Sequence, residues 1–235
     1  MDVDDFIREL ELIAPPGLAE PCDEGRIGLI IEGHGEVNTV CCALDVTPYV
    51  VNEAIRTCAD MIVVHHTPIW NPVTRIGGSF APLLRSILRA ETGLYVMHTN
   101  FDRAPGGVND TLASILSLTK TEPLGLGLIG SCTLSPDEIA RRISSPLRVW
   151  GRADRIRRLA VVGGSGFDPG LLAEAAARGA DAFLSAELKH AVFRVSPIPC
   201  IEATHYALEN PAMKALASRM GWTFIDDPPL ITCYG

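Results

Sequence analysis

The chain has no C-x-x-C pair, no G-x-S-x-G turn and no apolar run long enough to span a bilayer, and each absence removes a class of function. Without the first, neither a thioredoxin-like redox centre nor a zinc ribbon is indicated. Without the second, a serine nucleophile on a strand-to-helix elbow has no support, and without the third the chain has no candidate transmembrane helix. Low-complexity segments and solenoid repeats are absent as well. The seven cysteines (Cys22, Cys41, Cys42, Cys58, Cys132, Cys200 and Cys233) are odd in number and sit mostly within apolar runs, without an obvious basic neighbour in sequence. They read as buried free thiols in a reducing compartment rather than as nucleophiles or a disulfide framework. The acidic start Met1-Asp2-Val3-Asp4-Asp5 lacks the pattern of a signal peptide, so a cytoplasmic protein is expected.

Charge is biased as well. A formal net charge of -8 opposes nonspecific attraction to nucleic acid or anionic membranes. Arg152, Arg155, Arg157 and Arg158 form a local basic cluster, but no aromatic or Gly-rich recognition segment accompanies them. A solvated face or subunit contact is the expected role, with no specific nucleic-acid signal. With 235 residues, 47% of them hydrophobic, the chain has the material for one large domain or two modest ones with real cores.

Periodicity predicts alternating helices and strands. Asp2 to Ile13 has helical spacing and stops at Pro15-Pro16-Gly17. Ile27 to Glu32 and Val37 to Asp45 read as strands joined by a turn around Gly33-His34-Gly35. Thr47 and Pro48 have the form of a helix cap and first turn, leading to the buried strand Met61 to Val64. A second unit follows, with a helix from Ala81 to Ala90, Gly93 as its terminator and a strand from Leu94 to His98. Gly106-Gly107-Val108-Asn109-Asp110 opens a helix through about Leu118. The stretch from Lys120 to Gly130 reads as a loop and a domain boundary. Beyond it are expected a helix from Ser135 to Ile143, strands near Leu147 to Trp150 and Arg158 to Val162, a helix from Asp168 to Gly179, and a strand from Ala182 to Ser185. The expected architecture is two α/β lobes with mixed or mostly parallel sheets, divided in the Lys120 to Gly130 stretch.

The chemistry-bearing residues gather at predicted strand ends, where open α/β sheets place their ligand sites. His65 and His66 follow one apolar run and Asp102 follows another, while His205 and Glu209 lie four apart and share a face if helical. Imidazoles and carboxylates brought together from distant segments suit a divalent metal. The donors outnumber the needs of one simple ion, which points to two ions sharing a carboxylate. His98, four residues before Asp102, is a further ligand, an orienting neighbour or a proton shuttle, with the orienting role preferred. The turn Gly163-Gly164-Ser165-Gly166 stands between a strand and a helix, so Gly164, Ser165 and Gly166 offer either an anion cradle or a plain tight turn. It is not a G-x-G-x-x-G match and lacks the Walker lysine. Glu187, Lys189 and His190 follow another strand and suit substrate, solvent or subunit contacts equally. His34, between two glycines, reads as a loop residue.

Taken in order, Ala43-Leu44-Asp45-Val46-Thr47-Pro48, His65-His66-Thr67-Pro68, His98-Thr99-Asn100-Phe101-Asp102, Gly106 to Asp110, Gly163 to Gly166 and Thr204-His205-Tyr206-Ala207-Leu208-Glu209 resemble the NIF-three-like dinuclear-metal family. Its bacterial members are often labelled GTP cyclohydrolase I type 2. The resemblance covers nearly the whole chain. It implies that His65, His66, Asp102, His205 and Glu209 bind two divalent ions (zinc, iron, manganese, cobalt or nickel), with a carboxylate bridging. It further implies that residues 201–235 complete the lobe of residues 1–120, with 121–200 as the second lobe, and it implies a toroidal homohexamer and a metal-activated water acting on a nucleotide or phosphorylated small molecule. Under the family label, that water would attack C8 of the guanine ring of GTP, opening the imidazole portion and releasing formate. A phosphoester hydrolase, or a noncatalytic metal-binding or regulatory protein, fits the same ligands. The chain departs from the family pattern at Thr67, which intervenes before Pro68, and at Thr204 and Ala186, where glycines are common. It also lacks room for the long inserted domain of larger members.

Overall fold

The computed structural model describes residues 1–232, so Cys233 lies outside the described residues. The chain divides into two compact units, Met1–Phe101 with the segment from Met213 onward, and Asp102–Ala212.

The first unit is built on a mostly parallel sheet of β1 (Gly28–Ile31), β2 (Val40–Ala43), β3 (Met61–Val64), β4 (Gly93–Val96) and β11 (Thr223–Phe224), in the order β1-β4-β3-β2-β11. Only β1 runs antiparallel to its neighbour. The strands β2, β3 and β4 are buried at every position, as unbroken runs of apolar residues demand when both faces are covered. Helix α1 (Val3–Ile13) is capped by Asp2, whose carboxylate accepts the Asp4 amide at 3.0 Å, and it buries Phe6 and Leu10. Helix α2 (Pro48–Arg56) begins as expected, with the Thr47 hydroxyl accepting the Val50 amide at 3.1 Å. Helix α3 (Phe80–Arg89) precedes β4.

Two expectations change here. The strands flanking Gly33-His34-Gly35 do not pair with each other, because β1 adds to β4 and β2 lies between β3 and β11. Gly93 opens β4 instead of ending α3; a Cβ there would stand 2.7 Å from the Met61 Cε, so the glycine serves sheet packing.

The second unit contains a mixed sheet in the order β5-β6-β8-β9-β10-β7. Its strands are β5 (Thr119–Leu124), β6 (Gly127–Leu134), β7 (Arg148–Trp150), β8 (Ile156–Val161), β9 (Ala182–Ser185) and β10 (Cys200–Glu202). One face packs Leu112, Leu116, Ile139, Leu159 and Leu184, the other Leu124, Ile129, Leu172 and Phe183. Flanking helices are α5 (Val108–Ile115), α6 (Pro136–Ile143) and α7 (Pro169–Ala177). Two short helices, α4 (Thr99–Arg103) and α8 (His190–Val195), and the long α9 (His205–Met220) complete the elements used below.

The segment read as a linker, Lys120 to Gly130, is the β5–β6 hairpin and lies inside the unit Asp102–Ala212. Its loop-like composition has a structural cause. Gly125 takes φ +54 in the turn, a Cβ on Gly127 would meet the Val161 carbonyl oxygen at 2.1 Å, and Pro123 sits on a strand that edges the sheet. Among the described residues, no helix is long and apolar enough to cross a membrane.

At the start of α6 the Ser135 hydroxyl accepts the Glu138 amide, while the Glu138 carboxylate accepts the Ser135 amide at 2.7 Å. Replacing Ser135 by Ala should lower the stability of the chain by about 1 kcal/mol, a loss read as a lower urea midpoint at unchanged slope.

Candidate metal centre

The first unit contributes imidazoles. β3 and β4 are adjacent, parallel and in register, Val64 opposite Val96, so His65-His66 and Met97-His98 leave the sheet at the same rim. The ligand atoms of His65, His66 and His98 all lie within 4.8 Å of one another. Each ring is held through Nδ1. His65 Nδ1 stands 2.8 Å from the Met97 carbonyl oxygen, His66 Nδ1 2.7 Å from Asp45 Oδ1 and His98 Nδ1 2.7 Å from Asp23 Oδ1. A carbonyl or carboxylate oxygen can only accept, so each Nδ1 carries the hydrogen and each neutral ring presents the lone pair of Nε2. This is the tautomer a metal takes, fixed by the outer hydrogen bond.

The second unit holds a group of its own, two carboxylates and one imidazole. Asp102 lies in α4, while His205 opens α9 and Glu209 follows one turn later. Glu209 offers a ligand atom within 4.8 Å of that of Asp102 and another within 4.8 Å of that of His205. Asp102 and Glu209 are both buried, and two carboxylates so placed repel each other unless a cation or a shared proton lies between them. His205 makes the same demand. Its Nδ1 is 2.8 Å from Glu187 Oε1 and its Nε2 is 2.9 Å from Glu209 Oε2, yet a neutral imidazole has one N–H to donate. That demand is met by a second ring proton, by a proton on Glu209 donated to Nε2, or by a metal ion. The donor set therefore fits a divalent cation.

The surrounding sequence serves these donors. Buried Asn109 donates its amide hydrogens to the carbonyls of Asp102 and Leu126, and its Oδ1 accepts the Gly163 amide at 2.9 Å. Gly164 has φ +66 and comes so near the donors that a Cβ would stand 2.1 Å from Glu209 Oε1 and 3.1 Å from His205 Nε2. Ser185 Oγ donates to the Gly164 carbonyl at 2.7 Å and accepts the Gly166 amide at 2.8 Å. The amides of Gly163 and Gly166 are thus engaged within the protein, and Ser165 alone of this turn is exposed. The close approach to Glu209 accounts for the glycine at 164 without an anion.

The thiol of Cys22 lies 3.9 Å from Asp23 Oδ1, while the thiols of Cys41, Cys42, Cys132 and Cys200 bond elsewhere. Burial pushes those of Cys41, Cys42 and Cys200 up, and that of Cys132 up to about 11, which disfavours the reactive thiolate. Of the other polar residues read from sequence, Lys189 precedes α8, His190 sets its ring edge to Phe193 at 4.9 Å, and His34 lies 3.3 Å from Glu91 on the surface.

The DUF34/NIF3 (NGG1p interacting factor 3) family model matches residues 1–227. The chain belongs to this family. A protein of Pyrococcus abyssi named GTP cyclohydrolase 1 type 2 homolog is 34% identical over 213 residues, 83% of this chain and 84% of that one. Among solved structures, reduced HcgD from Methanocaldococcus jannaschii is similar at TM-score 0.81 and 25% identity, covering 95% of this chain and 96% of that chain. A Bacillus cereus protein related to NIF3 shares the fold at TM-score 0.88 and 20% identity, with 99% of each chain covered.

The three departures from the family pattern have local explanations. The Thr67 hydroxyl accepts the Ile69 amide at 3.2 Å, forming a small turn after the histidine pair. The Thr204 hydroxyl accepts the Ala207 amide at 3.3 Å and so caps α9 immediately before His205. The Ala186 amide donates to the Gly164 carbonyl at 2.8 Å, and the backbone then turns left-handed at Glu187, φ +61, which points its carboxylate at His205. Asp23, Asp45 and Asn109 had no role assigned from sequence. Asp45 and Asn109 belong to the quoted motifs, whereas Asp23 lies in a turn whose only signal is prolines.

Gly164→Ala should cost about 1–2 kcal/mol in backbone strain and lower metal occupancy as well, because the methyl group displaces the Glu209 carboxylate. Elemental analysis beside thermal unfolding checks this; full occupancy in a folded variant would contradict the close approach.

Proposed function

We propose that the protein is a dinuclear divalent-metal-dependent hydrolase in which His65, His66, Asp102, His205 and Glu209 hold the ions. The observation that carries this reading is the buried Asp102 and Glu209 pair, together with a His205 whose two nitrogens both face carboxylates, a donor set that suits divalent cations. The family resemblance supplies the five-donor set and the number of ions. Glu209, near both Asp102 and His205, is the carboxylate best suited to bridging. When bound, such ions would lower the pKa of water and hold an electrophilic substrate beside it.

The chain's own residues would do the rest. Asp45, Glu187 and the Met97 carbonyl fix the tautomers of His66, His205 and His65. His98 Nε2 is set to accept a proton, because Asp23 holds the hydrogen at Nδ1. Ser165, exposed in the turn beside Gly164, would be the side chain to meet a substrate phosphate.

The relatives' name makes GTP the first substrate to test, and a phosphoester suits the same ions. We further propose a homohexamer, on the family resemblance. The protein reconstituted with zinc, manganese, iron, cobalt or nickel should turn over GTP or one of a set of phosphoesters. His65→Ala and Asp102→Ala should reduce turnover to the metal-free background. Turnover that survives both substitutions excludes the centre as its cause, and two bound ions without turnover would favour a metal-binding or regulatory role. Glu209→Gln should lower the metal content measured by elemental analysis while leaving the unfolding transition in place, since it removes ligand charge at nearly constant volume.

A further inference from the structure

His98 is absent from the five-donor set, yet in the first unit its ring spacings to the histidine pair are within 1 Å of the spacing that separates the pair. The ring centroids are 4.9 Å apart for His65 and His66, 5.1 Å for His65 and His98 and 5.8 Å for His66 and His98. What fixes His98 is Asp23, 75 residues away in sequence, with a side chain at 0% exposure. A carboxylate withdrawn from water this fully needs several hydrogen bonds in return. Its Oδ1 faces His98 Nδ1 at 2.7 Å, and its Oδ2 accepts the Thr99 amide at 3.0 Å and the Thr99 hydroxyl. The Thr99 oxygen in turn accepts the Glu20 amide at 2.7 Å.

These partners dictate the proton positions. The Thr99 amide can only donate, so Oδ2 must accept, and a carboxylate leaves Oδ1 an acceptor too. His98 therefore carries its hydrogen on Nδ1 and its lone pair on Nε2. Trp70 limits rotation of the ring, lying edge-on to His98 at 5.7 Å with the Arg26 guanidinium 5.0 Å above the indole. The result has the form of the carboxylate–histidine pair that orients imidazole toward metals.

We infer that Asp23 is a positioning residue that holds His98 as a third imidazole donor, so that His65, His66 and His98 form a metal-binding face complete within the first unit. The inference rests on the proposed metal reading for the class of ligand, and gives the His98 Nε2 lone pair to a metal ion in place of a proton.

Cobalt(II) is a suitable probe, because its absorption spectrum and a chelator competition report binding without a substrate. The full chain carrying Asp102→Asn, His205→Ala and Glu209→Gln loses the second unit's donors and should still bind a single cobalt ion. Adding Asp23→Asn should weaken that binding about 10–100-fold. In the Asn variant the carboxamide oxygen stays on the Thr99 amide and the NH2 group faces the ring. Nitrogen-15 spectra of the metal-free chain should then show His98 moved from the Nδ1–H to the Nε2–H tautomer. His98→Ala should weaken cobalt binding comparably, and combining it with Asp23→Asn should add little, as expected of one residue acting through the other. His98→Ala leaves the Asp23–Thr99 bonds in place, so it tests the donor even if Asp23→Asn disturbs folding.

Cobalt affinity unchanged by His98→Ala would overturn the inference. So would a triple variant that binds no cobalt while the intact protein binds two ions, an outcome that leaves the dinuclear reading standing. An intact protein that binds no cobalt, zinc or manganese would instead remove the dinuclear reading itself.

Discussion

The parallel register of β3 against β4 governs where the first unit's donors lie. Because Val64 faces Val96, the residues that follow each strand emerge side by side, and His65 meets the Met97 carbonyl without a long loop to position it. Strands buried on both faces cannot slip by one residue without placing every side chain on the wrong side. The position of the imidazoles is thus inherited from apolar packing, and the acceptors at Asp45, Met97 and Asp23 need only select the rotamer and tautomer.

In the second unit the corresponding constraint is the approach of backbone to carboxylate. Gly163 and Gly164 bring the turn against Glu209 and His205, and Asn109 joins that turn to the Asp102 backbone through its amide group. Buried Asn109 bonds to three backbone groups, so the turn, the Leu126 carbonyl and the start of the α4 to α5 segment are held as one arrangement. The left-handed Glu187 belongs to the same set: its backbone strain is offset by the bonds that Ser185 and Ala186 make to Gly164.

Much of this was legible in the chain itself. Thr47-Pro48, Ser135-Pro136 and Asp168-Pro169 announce helix starts through capping chemistry that acts within four residues, and all three caps form. Runs such as Met61 to Val64 announce buried strands, and the four-residue spacing of His205 and Glu209 places them on one helical face. What stayed hidden depends on distant partners. The β5–β6 hairpin carries proline and glycine that normally mark loops, and only its position at a sheet edge, packed under Val161, explains them. Asp23 gives no local sign of its role, because its importance lies in a histidine 75 residues further on.

The proline on β5 also bears on how the protein coexists with copies of itself. A border strand exposes a row of amides and carbonyls on which another chain can build, and Pro123 supplies no amide hydrogen to that row while Lys120 and Glu122 add charge. The feature that makes this stretch look unstructured on paper also makes it a poor template for runaway strand addition.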